Sequence, residues 1–177
     1  MTIDPTVVRD HLDAAASALD TDAQGKAYEK LIVYLFESTP GCLVEPDVIS
    51  AFGSEQVDVA VGNLRVQDGP ALLPATFLVE CKDWSKPVDS STLGYFINTL
   101  ADRSVEVGLM IAARGITGDP RDFSYAHSLL IQASARRIRV LVITTEEIAA
   151  LTSSSDFVEL LNRRHLRAVA SGMGVPI

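Results

Sequence analysis

The sequence predicts an α/β domain in which helices flank a central mixed β-sheet. Segments with helical apolar spacing alternate with short β-like segments along the second half of the chain, an order typical of this class. The length of 177 residues fits one domain, and the apolar fraction of 47% is ordinary for a globular protein. One sheet with helices on both faces accounts for these observations.

Two helices are predicted at the beginning of the chain. Asp4 is a favourable N-cap and Pro5 suits a first helical turn, so the first helix begins there. A second helix is expected over about residues 22–38, where apolar residues recur with helical spacing, and Pro40 and Gly41 end it.

Three strands are predicted next, at Cys42–Ile49, 56–62 and Thr76–Lys82. The second strand alternates apolar and polar residues, which is typical of a strand with two different faces. The turn region that separates it from the third strand contains Gly69 and two prolines. The second and third strands are therefore expected to form a hairpin.

The remaining elements are predicted in the following order: a helix capped by Asp89, a strand at 105–113, a helix from Asp119-Pro120 to about Arg137, a strand at 138–143, and helices at 145–151 and 156–170. The tail at 171–177 is expected to be loose. The predicted organisation is a helix at 1–21, a main domain at 22–152, and a C-terminal helix and tail at 153–177 packed on that domain.

The chain is acidic, with 23 Asp and Glu against 15 Lys and Arg and a net charge of −8. Because affinity for phosphate is built from Lys and Arg, this composition argues against non-specific binding to nucleic acid. No apolar run approaches the roughly 18 residues of a membrane span, and no signal-peptide pattern opens the chain. The two cysteines exclude a disulfide framework. We expect a cytoplasmic protein that does not bind membranes.

The strongest candidate site lies in the predicted hairpin. Glu80 and Lys82 are two residues apart on one strand and share a face, whereas Cys81 points to the other face. In a hairpin symmetric about Gly69, Asp58 lies opposite Glu80, with the two Cβ atoms about 5 Å apart. Facing carboxylates repel each other unless a cation lies between them, and Mg²⁺ is typically bound by one or two carboxylates.

Glu29 is the candidate third acid. Its helical neighbours include Ile32, Val33 and Phe36, so its carboxylate lies on or beside the buried stripe of the second helix. The plainer interpretation of the hairpin residues is an exposed salt bridge, worth about 0–1 kcal/mol. The order of helix Glu, strand Asp and strand Glu-x-Lys within 54 residues favours a metal-dependent phosphodiesterase over that interpretation.

A known family carries the same motifs in the same order. Gly25-x-x-Tyr28-Glu29, then Asp58, then Glu80-Cys81-Lys82 resembles the PD-(D/E)xK nuclease superfamily, and within it the Mrr-type (type IV) restriction endonuclease domain. The resemblance extends over about residues 22–151. This chain differs from common Mrr-type domains in having Glu rather than Gln at position 80, and it lacks a proline before Asp58.

The resemblance implies a restriction-endonuclease-like fold with an α-β-β-β-α-β core, so that 22–152 would be a nuclease domain. It also implies a Mg²⁺-dependent endonuclease that hydrolyses DNA in restriction or phage defence, with Mn²⁺ as a substitute metal. By the same resemblance the catalytic side chains are Glu29, Asp58, Glu80 and Lys82. The metal would be held by Asp58, Glu80 and the backbone carbonyl of Cys81, with Glu29 on a second metal or on a metal-bound water.

Further contacts to nucleic acid are predicted from Lys86, Arg114 and Trp84, although exposed bases often contact only solvent and the tryptophan also suits packing beneath the next helix. Arginine clusters at 136–139 and 163–167 are candidates for a DNA-facing patch or a subunit contact. DNA is the expected partner, with a homo-oligomer or a separate DNA-reading or regulatory subunit. The alternatives are a catalytically silent scaffold of the same fold and a nuclease for branched DNA or RNA.

Overall fold

A computed structural model of the chain describes residues 2–49, 56–82, 86–118 and 125–176. The helices in these ranges are α1 (Pro5–Ala16), α2 (Thr21–Glu37), α3 (Ser90–Asp102), α4 (Tyr125–Ala135), α5 (Thr145–Ala149) and α6 (Ser154–Ser171). The strands are β1 (Cys42–Ile49), β2 (Gln56–Asn63), β3 (Thr76–Lys82), β4 (Val107–Ala112) and β5 (Arg139–Ile143).

The strands form one sheet in the order β1-β2-β3-β4-β5. β2 is antiparallel to both of its neighbours, β1 and β3, whereas β3, β4 and β5 run parallel to one another. The predicted mixed α/β sheet is therefore confirmed. Val59 pairs with Val79 and Gly62 with Thr76, which is the register expected of a hairpin symmetric about Gly69.

Two hydrophobic cores lie on opposite faces of the sheet. Val79 and Cys81 of β3 belong to the core formed with α1, α2 and α6, whereas Leu78 belongs to the core formed with α3 and α4. Each buried Val, Leu or Phe side chain contributes roughly 1.5–3 kcal/mol, so both layers of helices are held firmly against the sheet. Because side chains alternate along a strand, Glu80 and Lys82 lie on the α3 face.

Side-chain caps begin the helices where the sequence predicts them. Asp4 accepts a hydrogen bond from the Thr6 N–H and Asp89 accepts one from the Thr92 N–H, as N-cap residues do. The predicted start of the fourth helix at Asp119-Pro120 lies outside the described residues. Among the helices described, none is long and apolar enough to cross a membrane.

The C-terminal tail is ordered against β5, so the expectation of a loose tail is wrong. The Val142 N–H donates a 2.6 Å hydrogen bond to the Gly174 carbonyl, and Leu141 forms an isolated parallel bridge with Gly174. Val175 is buried in the core beneath α3 and α4, and its carbonyl accepts a hydrogen bond from Arg167. These contacts hold the tail along the outer side of β5.

One member of the arginine cluster at 163–167, Arg164, belongs neither to a DNA-facing patch nor to a subunit contact, because it is buried within the fold. Arg164 of α6 is buried, donates to the Val142 carbonyl and pairs with the carboxylate of Glu147. Burial lowers the pKa of Arg164, and the charge of Glu147 opposes that effect. Since Arg167 binds the tail and Arg163 pairs with a glutamate of its own helix, these arginines stabilise the fold.

Candidate active site

Asp58 and Glu80, the two acids of the predicted hairpin, lie where the antiparallel and parallel halves of the sheet join. The described ladder of β2 and β3 ends at the pair of Val59 and Val79. Asp58 lies directly beyond that pair on β2, while β3 continues through Glu80 to Lys82 in parallel pairing with β4. The strands therefore separate at the position that carries the predicted site.

The carboxylate of Asp58 takes the place of a backbone carbonyl as the hydrogen-bond acceptor for an N–H of β3. Its Oδ2 accepts a 2.6 Å hydrogen bond from the Cys81 N–H. Burial raises the pKa of Asp58, and this hydrogen bond and the charge of Lys82 offset part of the rise. Because the N–H and C=O groups of one strand residue point to the same side, the Cys81 carbonyl is also directed towards the Asp58 side of β3.

Glu80 is a buried acid with a partly exposed lysine beside it. The residue is 6% exposed, and its Oε1 lies 3.0 Å from Nζ of Lys82, whose side chain is 45% exposed. Glu80 and Lys82 therefore form the salt bridge of the plainer interpretation, but its acid is buried rather than exposed. Burial and repulsion from Asp58 raise the pKa of Glu80 to about 7. Burial alone would lower the pKa of Lys82, but attraction to Glu80 raises it on balance, so the ammonium stays charged.

Glu29 lies on α2, which packs on the face of the sheet opposite to α3. Burial raises the pKa of Glu29, and repulsion from Asp58 adds to the rise. Burial also raises the pKa of the Cys81 thiol, which interacts with the charges of Asp58, Glu80, Glu29 and Lys82. The charges of the four predicted catalytic side chains therefore all act on the Cys81 thiol, but Glu29 lines a separate cavity of about 600 Å³ that Asp58, Glu80 and Lys82 do not line.

Asp47 of β1 is a neighbouring acid that sequence reasoning missed. The register on both sides places it opposite Asp58, its φ is 55°, and its carboxylate accepts a 3.2 Å hydrogen bond from the Gln56 amide. Its charge contributes to the raised pKa of Asp58 and of Glu29. The available signal was Pro46, since a proline within a strand disfavours regular pairing.

The donor groups fit a hard divalent cation. Among the described residues there is no group of three or more His, Cys, Asp and Glu side chains that could hold a metal ion. Asp58 and Glu80 offer two carboxylates and Cys81 a backbone carbonyl, and Mg²⁺ is commonly bound by one or two carboxylates with water and phosphate oxygens. The pKa of Glu80 stays raised despite Lys82, so the lysine does not cancel the repulsion between the Glu80 and Asp58 carboxylates. A cation bound between them would relieve that repulsion.

Two of the three predicted nucleic-acid contacts lie at the same end of the sheet. Lys86 and Arg114 are exposed, and each follows the C-terminal end of one of the neighbouring parallel strands β3 and β4. A 2.8 Å hydrogen bond from the Val88 N–H to the Gly115 carbonyl joins the segments that carry them. Trp84, the third predicted contact, lies outside the described residues.

A cleft of about 610 Å³ opens beside Glu80 and Lys82, and α3 forms one of its walls. Its other lining residues are Gln56, Ser91, Thr92 and Tyr95. Tyr95 is 54% exposed, although it neighbours the fully apolar stripe of α3 in sequence. Sequence reasoning missed Gln56 and Tyr95, and the available signal was an aromatic residue placed off the buried stripe of its helix.

Replacing Glu80 with Gln is expected to stabilise the metal-free protein at pH 8. The folded-state pKa is about 7 against an ordinary value of 4.5, so the folded chain holds this proton more tightly than the unfolded chain does. The resulting stabilisation is complete below pH 4.5 and is lost as the pH rises through 7. From the free energy equivalent of a pKa shift, we expect a gain of roughly 3 kcal/mol for Glu80→Gln at pH 8. Urea denaturation in EDTA at pH 5.5 and pH 8 measures it.

Glu106→Gln is the matched control, because Glu106 is an exposed acid that precedes β4 at the far end of the sheet. It should change the free energy of unfolding by the same small amount at both pH values. If Glu80→Gln also changes the free energy of unfolding by the same amount at both pH values, the pKa of Glu80 is not raised in the folded protein.

Comparison with protein families gives an independent result. A family model for the Mrr catalytic domain, described as a restriction endonuclease, matches residues 21–166. The match includes α2, the whole sheet and α5, and therefore every residue of the candidate site. No curated protein is significantly similar to the chain in sequence. The chain belongs to the Mrr-type restriction endonuclease family, and its five-stranded mixed sheet with flanking helices has the restriction-endonuclease-like fold.

Proposed function

We propose that this restriction-type nuclease is a Mg²⁺-dependent endonuclease that hydrolyses DNA, with Mn²⁺ as a substitute metal. The observation that supports it is the pair of partly or fully buried carboxylates of Asp58 and Glu80 beside the charged Lys82. Residues 22–152 would form the nuclease domain, on which the terminal segments pack. We further propose a cytoplasmic role in restriction or phage defence.

Each of the candidate catalytic side chains has a separate role in the proposed hydrolysis. Asp58 and Glu80, with the Cys81 carbonyl, would hold the cation. When bound, the cation polarises a phosphoryl oxygen and lowers the pKa of a water. Lys82 orients the attacking water or donates to the phosphate as negative charge develops there. Glu29, whose charge interacts with that of Asp58, would hold a second cation or a water bound to the first.

Binding of DNA would draw on residues beyond the catalytic group. Lys86 and Arg114 would contact the DNA backbone, and Trp84 would stack on a base. A net charge of −8 leaves little affinity for phosphate, because such affinity grows with the number of Lys and Arg contacts. A homo-oligomer or a separate DNA-reading subunit therefore supplies the remaining affinity and the choice of target.

The test is a titration of supercoiled plasmid cleavage with Mg²⁺ for the wild type and Asp58→Asn. We expect the wild type to nick or linearise plasmid at millimolar Mg²⁺ and EDTA to abolish cutting. Asp58→Asn should lose at least about 100-fold in rate, because without this carboxylate the cation that would stabilise charge in the transition state is held poorly. It should also lose the Mg²⁺-dependent rise in melting temperature.

Asp10→Asn, which changes an exposed acid of α1, should retain both the cleavage and the metal-dependent shift. A wild type with neither cleavage nor shift would favour a catalytically silent scaffold. Cleavage confined to RNA or to DNA junctions would replace the proposed substrate.

A further inference from the structure

We propose that the cleft beside Glu80 and Lys82 is a subsite for one unpaired nucleobase, with Tyr95 as its stacking surface and Gln56 as the group that contacts the base edge. The inference rests on the proposed nuclease function and names its substrate class. That class is DNA in which the nucleotide beside the scissile phosphate is unpaired and unstacked.

The dimensions and walls of the cleft suit a nucleotide. Its volume of about 610 Å³ lies within the range of roughly 300–1,000 Å³ that is typical of small-ligand sites. Ser91 and Tyr95 are four residues apart on α3 and therefore lie on the same face of the helix. Tyr95 thus lies one helical turn along the wall from the Ser91 hydroxyl, and it lines the same cleft as Glu80 and Lys82.

The charged groups in and near the cleft are unevenly distributed. The Asp89 carboxylate at the start of α3 accepts hydrogen bonds from the Thr92 N–H at 2.9 Å and from the Ser91 hydroxyl at 3.1 Å. The Thr92 bonds, with those from Ser91, lower the pKa of Asp89, so this end of the helix carries a negative charge at neutral pH. Among the described residues that line the cleft, Lys82 is the one cation. Glu80, the one acid among those lining residues, pairs with Lys82 at 3.0 Å. The charged groups of the lining therefore lie on the sheet side of the cleft, and an uncharged base is favoured at the α3 wall.

The side chains at that wall have the chemistry of base recognition. Stacking of a base on an aromatic ring contributes about 1–3 kcal/mol. The amide of Gln56 carries both a donor and an acceptor, and it donates a 3.2 Å hydrogen bond to the Asp47 carboxylate that leaves its oxygen able to accept. In a duplex both faces of a base are stacked and its edge is paired. Only an unpaired base can present a face to Tyr95 and an edge to Gln56 together.

The test measures the affinity of the protein for fluorescein-labelled single-stranded DNA and for the matching perfect duplex. The measurement is by fluorescence anisotropy in a buffer that contains Ca²⁺. We expect the wild type to bind the single strand more tightly than the duplex. Tyr95→Ala should weaken single-strand binding about 10-fold, which corresponds to the loss of one stacked base, and change duplex binding less than about twofold. Tyr95→Phe keeps the ring and should bind the single strand as the wild type does.

Tyr125→Ala is the control, because Tyr125 is 72% exposed on α4 and does not line the cleft. It should bind both DNAs as the wild type does. The inference is overturned if the wild type prefers the duplex or if Tyr95→Ala binds the single strand with unchanged affinity.

Cleavage of the same DNAs in Mg²⁺ is measured in parallel and tests the nuclease proposal separately. A wild type that binds the single strand through Tyr95 but cuts no DNA supports the base subsite and refutes the nuclease. A wild type that cuts plasmid while Tyr95→Ala binds as tightly as the wild type refutes the subsite alone.

Discussion

Lys82→Ala is expected to yield a folded protein that has lost DNA cleavage. Lys82 is the cation beside Glu80, and attraction to Glu80 and Asp58 keeps it charged. The loss of one such donor to a developing negative charge typically costs about 10²–10³-fold in rate, and we expect a fall of that size. Plasmid cleavage at saturating Mg²⁺ measures the rate.

The fold should survive this change, because the Lys82 side chain is 45% exposed and makes no part of either hydrophobic core. Circular dichroism and thermal unfolding check this point. Arg9→Ala removes a positive charge from the exposed side of α1 and should cleave at the wild-type rate. Retained cleavage by folded Lys82→Ala would remove this lysine from the mechanism.

Arg164→Ala is expected to have the largest effect on stability. The guanidinium is buried between α6, β5 and α5, where it donates to the Val142 carbonyl and to the Glu147 carboxylate. Its removal leaves an acid and a carbonyl without their cation in a largely dry site, a change that typically costs about 3–5 kcal/mol. For a chain of this size that corresponds to a fall in melting temperature of roughly 10 °C, which thermal unfolding measures.

The adjacent arginine supplies the control. Arg163 is exposed and pairs with Glu159 four residues earlier on the same helix, so Arg163→Ala should cost less than about 0.5 kcal/mol. The double variant Glu147→Gln with Arg164→Met removes both charges together and should be less destabilised than Arg164→Ala. Equal effects of the two single arginine changes would show that burial of Arg164 does not matter to the fold.

The elements that local patterns determine were predictable from the sequence. Alternation along β2, the turn around Gly69 and the capping residues Asp4 and Asp89 are short-range signals, and each acts within a few residues. The hairpin register followed from the position of the turn, so the sequence alone could predict that Asp58 and Glu80 lie near each other.

Features that depend on distant parts of the chain were not predictable. Burial of Arg164 requires Glu147 and Val142 to meet it from two other elements, and a triplet of exposed-looking arginines gives no sign of that. The ordered tail needs the free side of β5, which exists only after the sheet has formed. The exposure of Tyr95 depends on the space between α3 and the sheet, and helical spacing alone does not specify it.

The two outermost strands are both protected against pairing with another molecule. β1 is interrupted by Pro46, which lacks an N–H, and by Asp47 at a φ of 55°, while Gly174 occupies the free side of β5. Proteins use such devices to prevent edge-to-edge aggregation. A continuous sheet shared by two copies of this chain is therefore disfavoured, so a dimer that cut both DNA strands would have to join through helices or loops.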